Sequence, residues 1–291
     1  MKIAFIGAGR LAQTLAAAFY RCDIEVVAVA NRSAGPDAVL AAMAGQCKIC
    51  DTSQQAADMA DLVFITVSDD AIGAVARQVQ WRQGQCVVHC SGATEVSVLA
   101  PAAAQGAHIG GFHPIQIFAD PAVALPNMAG SSVAIEAEGV LEAELARLAA
   151  AVGYRVIRLP QGARARYHAA TNYAASFMLS LLREACDLWS SFGVSDHDAL
   201  EALLPLSRGT LDAAAAKGLA GALAGPISRG DAEVVSLHLC ELAVLGDPAV
   251  DFYRSVAWRQ VRLAREKGHL DEATLERLSR VLSEDQGEGT S

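Results

Sequence analysis

The apolar run Lys2–Gly7 ends in glycine and passes directly into a helical pattern from Arg10 to Tyr20. The same handover recurs down the first half of the chain. Short apolar runs at Glu25–Asn31, Gln46–Cys50, Asp61–Val67, Gln85–Cys90 and Ala107–His113 alternate with helical stretches. Strands joined through helices pair in parallel and bury both faces, so the alternation predicts a parallel sheet with helices on each side. Two more strands, Ser131–Glu136 and Tyr154–Leu159, flank a helix centred on Leu141–Ala151. Between Pro114 and Gly130 three prolines (Pro114, Pro121, Pro126) predict a loop crossing the active-site side of the sheet.

After Pro160 strand signals stop. A long helix is predicted over Ala163–Phe192, closing at Gly193, with Ser195 or Asp196 capping the next. Gly218, Gly221 and Gly225-Pro226 punctuate the chain beyond that cap. Helices are then predicted at Asp231–Leu245, Pro248–Lys267 and Asp271–Ser283, and the polar tail Glu284–Ser291 is expected to be disordered. The fold class is therefore α/β, a doubly wound, mostly parallel sheet followed by an all-α C-terminal domain. The boundary falls at Pro160–Gly162, giving domains 1–160 and 161–291.

A chain of 291 residues can build two cores without disulfides or a metal. No apolar run is long enough to span a membrane, and the first strand begins almost at once with no signal-like leader, so a cytoplasmic protein is expected. A formal charge of −9 disfavours nucleic acid and anionic membranes as main partners. Seven scattered cysteines suit reduced thiols. Cys47 and Cys50 have Cys-x-x-Cys spacing, but no further ligands follow, and on a strand the two side chains would face opposite ways. No metal site is expected.

The motif Gly7-Ala8-Gly9-Arg10-Leu11-Ala12 follows the first strand and opens a helix. Glycines let a backbone approach a pyrophosphate, and a helix N-terminus offers it unpaired N–H groups, which is the dinucleotide site of a Rossmann fold. Gly7, Gly9, Arg10 and Leu11 are thus candidate cofactor contacts. The end of the second strand reads Asn31-Arg32-Ser33 rather than the acidic residue that selects NAD. An amide, a guanidinium and a hydroxyl suit a 2′-phosphate, so the expected cofactor is NADP.

Farther along the same sheet edge stand Thr66-Val67-Ser68-Asp69-Asp70, His89-Cys90-Ser91-Gly92-Ala93 and Gly110-Gly111-Phe112-His113-Pro114. Val67 and Ser68 are further cofactor candidates, although Ser68 or Asp69 also reads as a helix cap. Ser91 and His113 are candidates for holding substrate or the nicotinamide amide. His113, between glycines and proline, is expected in a shaped turn. His89 reads as a buried strand residue.

These segments resemble a family of bacterial oxidoreductases. The resemblance is carried by the motifs above together with His113–Phe118, Tyr167-His168-Ala169-Ala170 and Gly225-Pro226-Ile227-Ser228-Arg229-Gly230-Asp231, in that order. The family joins a Rossmann-like domain to a C-terminal helical domain of unknown function. Its layout is similar to pyrroline-5-carboxylate reductase and the β-hydroxyacid dehydrogenases. The resemblance implies NADP use and a homodimer built by the helical domain. In β-hydroxyacid dehydrogenases a Lys and an Asn four residues apart lie on the first helix after the dinucleotide domain. Here His168 and Asn172 hold that spacing, on one helix face. The expected chemistry is hydride transfer between NADPH and a small, carboxylate-bearing carbonyl or imine compound, with His168 the first candidate acid and His113 its rival. Gly225–Asp231 reads first as a structural turn with an Arg229–Asp231 pair, and second as a turn that frees Arg229 for a substrate carboxylate. The alternative is a non-catalytic NADPH-binding regulator, which would need only Gly7–Ala12 and Arg32.

Overall fold

The structure, a computed structural model, describes residues 1–33 and 35–283; the tail expected to be disordered lies outside them. Eight strands form one sheet: β1 Ile3–Ile6, β2 Val26–Ala30, β3 Lys48–Cys50, β4 Leu62–Ile65, β5 Cys86–His89, β6 His108–Ile115, β7 Ser132–Glu136 and β8 Arg155–Arg158. Their order is β3-β2-β1-β4-β5-β6-β7-β8. All neighbours pair in parallel except β6 and β7. The helices are α1 Arg10–Arg21, α2 Pro36–Met43, α3 Ser53–Asp58, α4 Asp69–Gln78, α5 Ala100–Ala103, α6 Pro121–Ala124, α7 Gly139–Ala151, α8 Arg164–Ala174, α9 Ser176–Ser190, α10 Asp196–Ala222, α11 Pro226–Arg229, α12 Ala232–Ala243, α13 Asp247–Lys267 and α14 Glu272–Ser283.

The sheet buries both faces, as parallel sheets must. On one face Phe5, Phe19, Phe64 and Phe112 make a run of ring contacts, with Phe5 and Phe64 centroids 5.3 Å apart. The other face is filled by smaller residues of α3, α4 and α5, among them Ala56, Ala57, Ile72, Ala76 and Ala102. Cys47 packs against the first face and Cys50 belongs to the second, which separates the pair as strand geometry requires. Burial holds the Cys47 thiol up at about 11.

Every strand expected from the alternation is present, with trimmed ends. The loop expected over Pro114–Gly130 starts two residues late and carries the short helix α6. β6 runs on through His113 and Pro114 to Ile115, because β7 pairs with it antiparallel at His113–Ala134, Pro114–Val133 and Ile115–Ser132. β5 pairs with β6 only as far as Gly111. Past that point β6 has one neighbour, and a proline is tolerated there. The single helix expected over Ala163–Phe192 is two, α8 and α9, broken at Ala175 (φ −119°, ψ −85°). α10 is likewise kinked at Gly218, whose φ is +72°.

By its contacts the chain divides into two compact units at Met178/Leu179, not at Pro160–Gly162, so α8 belongs with the sheet. The second unit is helical. Its core gathers Ile227, Val235, Leu239, Ala257, Val261, Ala264, Leu275 and Leu278 from α11 to α14. Ser195 caps α10 by accepting the Asp198 N–H, and Asp231 caps α12 by accepting that of Val234. Among the described residues no helix is long and apolar enough to cross a membrane.

Candidate functional site

The sheet order reverses between β1 and β4, and the crevice beyond their C-terminal ends is where open α/β sheets take ligands. A cavity of about 470 Å³ opens there, lined by Gly7, Gly9, Asn31, Arg32, Val67 and Ser68 among others. Gly7 has φ +103°, and an added Cβ would fall 2.7 Å from the Thr66 carbonyl carbon and oxygen. Only glycine fits this turn. A Cβ on Gly9 would meet nothing within 4 Å, so its face is open to the cavity. Gly9 is the N-cap of α1 and has no capping side chain, and the first turn carries no acidic residue. The helix thus presents unpaired N–H groups to open space, which fits a phosphate.

Asn31 donates to the Ser33 backbone oxygen at 2.8 Å and to its Oγ at 3.2 Å, which closes the turn after β2. Arg32 is exposed beside it and makes no hydrogen bond or ion pair among the described residues. Its charge is felt at Asp70, where it helps lower the carboxyl pKa after a larger contribution from the Ser68 hydrogen bond. Three expected cofactor residues do not line the cavity with their side chains. Arg10 donates to the Ala119 carbonyl at 2.7 Å, Leu11 packs against the core, and Ser33 stays in its turn. The backbone N–H groups of Arg10 and Leu11 stand in the first turn of α1. Asp51, Ser53 and Gln78 complete the wall. The sequence reading missed them because nothing in the end of β3 or in α4 marks a binding motif.

Ser68 is the N-cap of α4, and Asp69 begins it. Asp69 accepts the Ser91 hydroxyl at 2.7 Å, while Ser91 Oγ accepts the Thr94 N–H at 3.0 Å. The Ser91 hydroxyl, expected to hold substrate, is therefore spent on fixing its own turn. Its neighbour Gly92 is the contact point. A Cβ there would lie 2.5 Å from His168 Cδ2 and 2.9 Å from both Cε1 and Nε2 of His113. The two imidazoles stand with centroids 6.1 Å apart. Tyr167 Oη is 2.7 Å from His113 Nδ1.

His113, Tyr167, His168 and Asn172 all line a second cavity of about 530 Å³ within the same unit. His113 is on a strand and not in the turn expected for it, and α8 carries the other three. Burial, then the charges of His168 and Arg164, push His113 down to about 4, against a smaller opposing effect of Asp69. Arg229, the alternative carboxylate contact, is exposed in the second unit, and Asp231 caps a helix there.

Arg164 holds this end together, and no sequence signal named it. Its side chain is fully buried. Nε donates to Glu136 at 2.5 Å and Nη1 to the Ser91 carbonyl at 2.6 Å. A Cβ on Gly111 would fall 1.7 Å from Nη2, so Gly111 exists to admit the guanidinium. Beside it His89, paired with Gly111 across the sheet, accepts the Ser91 N–H at Nδ1. Burial, with Arg164 and His113, pushes His89 down to about 3, and a neutral ring whose Nδ1 accepts carries its proton on Nε2. The Gly-Gly pair before His113 could have signalled a bulky neighbour, but not which one.

Residues 1–114 match a Rossmann-like domain, and residues 131–260 match a domain of unknown function, DUF2520. No curated protein matches the sequence. Among solved structures the chain is similar to a Thermotoga maritima protein, with 20% identity, TM-score 0.75, and coverage of 91% of this chain and 99% of that one. A Bacteroides fragilis protein described as a candidate NADP oxidoreductase shares 23% identity at TM-score 0.65, covering 92% and 98%. The 1-pyrroline-5-carboxylate reductase of Streptococcus pyogenes shares 15% at TM-score 0.61, covering 93% and 99%.

Proposed function

Taking the chain as a Rossmann-like domain followed by a DUF2520 domain, we propose that it is an NADPH-dependent oxidoreductase acting on a small carbonyl or imine compound. The observation that carries this reading is one unit holding both a cradle for a dinucleotide and, beyond Ser91-Gly92, an imidazole pair facing its own cavity. The α1 N-terminus and Gly9 would take the pyrophosphate, and Arg32 the 2′-phosphate. NADPH, when bound, supplies the hydride. His168 is exposed on α8 and can deliver the proton that the reduced oxygen or nitrogen requires. Likeness to a 1-pyrroline-5-carboxylate reductase supports reduction at a C=N or C=O bond.

The partner is a second copy of the chain. α10 buries only Ala199, while Leu206, Leu211 and Leu219 are 68%, 52% and 71% exposed. Apolar exposure repeated along one helix is the mark of an interface.

Fluorescence titration with NADPH and NADH tests the cofactor assignment. NADPH binds more tightly, and Arg32→Ala removes about 1.5–3 kcal/mol of that preference, the value of one charge-assisted contact. Equal affinities in the wild type would overturn the assignment. With a substrate in hand, His168→Ala lowers kcat about a hundredfold or more and leaves NADPH binding intact.

A further inference from the structure

We propose that His113 acts as a neutral imidazole presenting Nε2–H to the substrate's acceptor atom, and that Tyr167 is the positioning residue that fixes this tautomer. The proposal rests on the oxidoreductase reading and divides the labour between the two histidines: His113 polarises, and His168 delivers the proton.

Tyr167 Oη lies 2.7 Å from His113 Nδ1, a hydrogen bond in which one group donates and the other accepts. A phenol is the better donor of the two groups, and an imidazole nitrogen the better acceptor. Burial pushes the Tyr167 hydroxyl up to about 12, so it keeps its proton through neutral pH. With Nδ1 accepting, the ring proton belongs to Nε2. That edge of the ring is left clear only because residue 92 is glycine. The ring is fixed from behind as well. It is carried by β6, which is paired with β7 at His113–Ala134, and it meets Tyr167 edge-on at 5.6 Å.

The charged and titratable groups around His113 are His168, Tyr167 and Arg164 of α8, Asp69 of α4 and His89 of β5. Arg164 and His168 oppose a second positive charge more than Asp69 favours one, and burial opposes it most. A ring so placed stays neutral and can donate a hydrogen bond without giving up its proton. In the reduction the hydride goes to the carbon of the C=O or C=N bond, and the π pair goes to the heteroatom. With NADPH bound the hydride would come from it, the heteroatom would take its proton from His168, and His113 would end as it began.

Long-range ¹H–¹⁵N NMR of the full chain with ¹⁵N-labelled histidine, from about pH 5 to 8, reads the tautomer without cofactor or substrate. The His113 signal is assigned by its loss in His113→Gln. The expected wild-type result is one neutral form with the proton on Nε2 across the range. Tyr167→Phe should mix the two tautomers. A proton on Nδ1 in the wild type, an imidazolium forming near neutrality, or a tautomer unchanged by Tyr167→Phe would each overturn the proposal. If Tyr167→Phe does not fold, the wild-type tautomer decides by itself. Failure of the wild type to bind NADPH in the same sample would overturn the oxidoreductase reading and the donor's role with it. The tautomer result stands apart, so the two failures are distinguishable.

Discussion

Gly111→Ala should be among the most damaging single-methyl additions in the first unit, and its damage should vanish when Arg164 is removed. The added Cβ would lie 1.7 Å from Arg164 Nη2 and 2.5 Å from Cζ. The backbone cannot yield, because Gly111 pairs with His89 on one side and Glu136 on the other. The guanidinium must therefore leave its bonds to Glu136 at 2.5 Å and to the Ser91 carbonyl at 2.6 Å. Glu136 keeps only 11% of its side-chain surface exposed, so it would be stranded as a nearly buried carboxylate. Breaking a buried pair in this way costs about 3–5 kcal/mol. In an Arg164→Ala background that loss has already been taken and the new methyl enters vacated space. Gly111→Ala should then be neutral or stabilising by up to ~1 kcal/mol, through the unfolded chain's lost freedom. The coupling between the two positions is accordingly about 3 kcal/mol or more. Urea unfolding of both singles and the double, followed by Trp81 with Trp189 and Trp258 replaced by Phe, measures it. Additive effects, or a Gly111→Ala cost below about 1 kcal/mol in the wild type, would refute the reasoning.

Acid should destabilise the first unit early. His89 and His113 are held down at about 3 and about 4, so between pH ~6.5 and those values the unfolded chain binds protons that the folded one does not. Above pH ~6.5 neither contributes; by pH 5 each costs about 2 kcal/mol, and unfolding at stepped pH should show that loss shrink in His113→Gln. Sedimentation should give twice the 30.3 kDa chain mass, with Leu206→Glu and Leu219→Glu shifting it to the monomer; a wild-type monomer at micromolar concentration would reject the dimer.

Local chemistry determined a good deal of this molecule from the sequence alone. The eight strands and the parallel sheet followed from apolar runs alternating with helical periods, since each pattern states which faces its own backbone must bury. The cradle followed from Gly7 and Gly9, because a positive φ and a bare helix N-terminus are properties of a few consecutive residues. What the sequence could not show is whatever depends on partners distant along the chain. His113-Pro114 read as a turn because proline breaks strands, and only β7, pairing from the far side of a long connection, keeps it extended. Ser91 read as a free hydroxyl until Asp69 and Thr94 were found to occupy it. Arg164 looked like one charge among many at the start of a helix. Folding buries it completely beside Glu136, Ser91 and Gly111, residues 28, 73 and 53 positions away; Glu136 and the Ser91 carbonyl bond it, Gly111 leaves it room, and without them a charge would not be tolerated there.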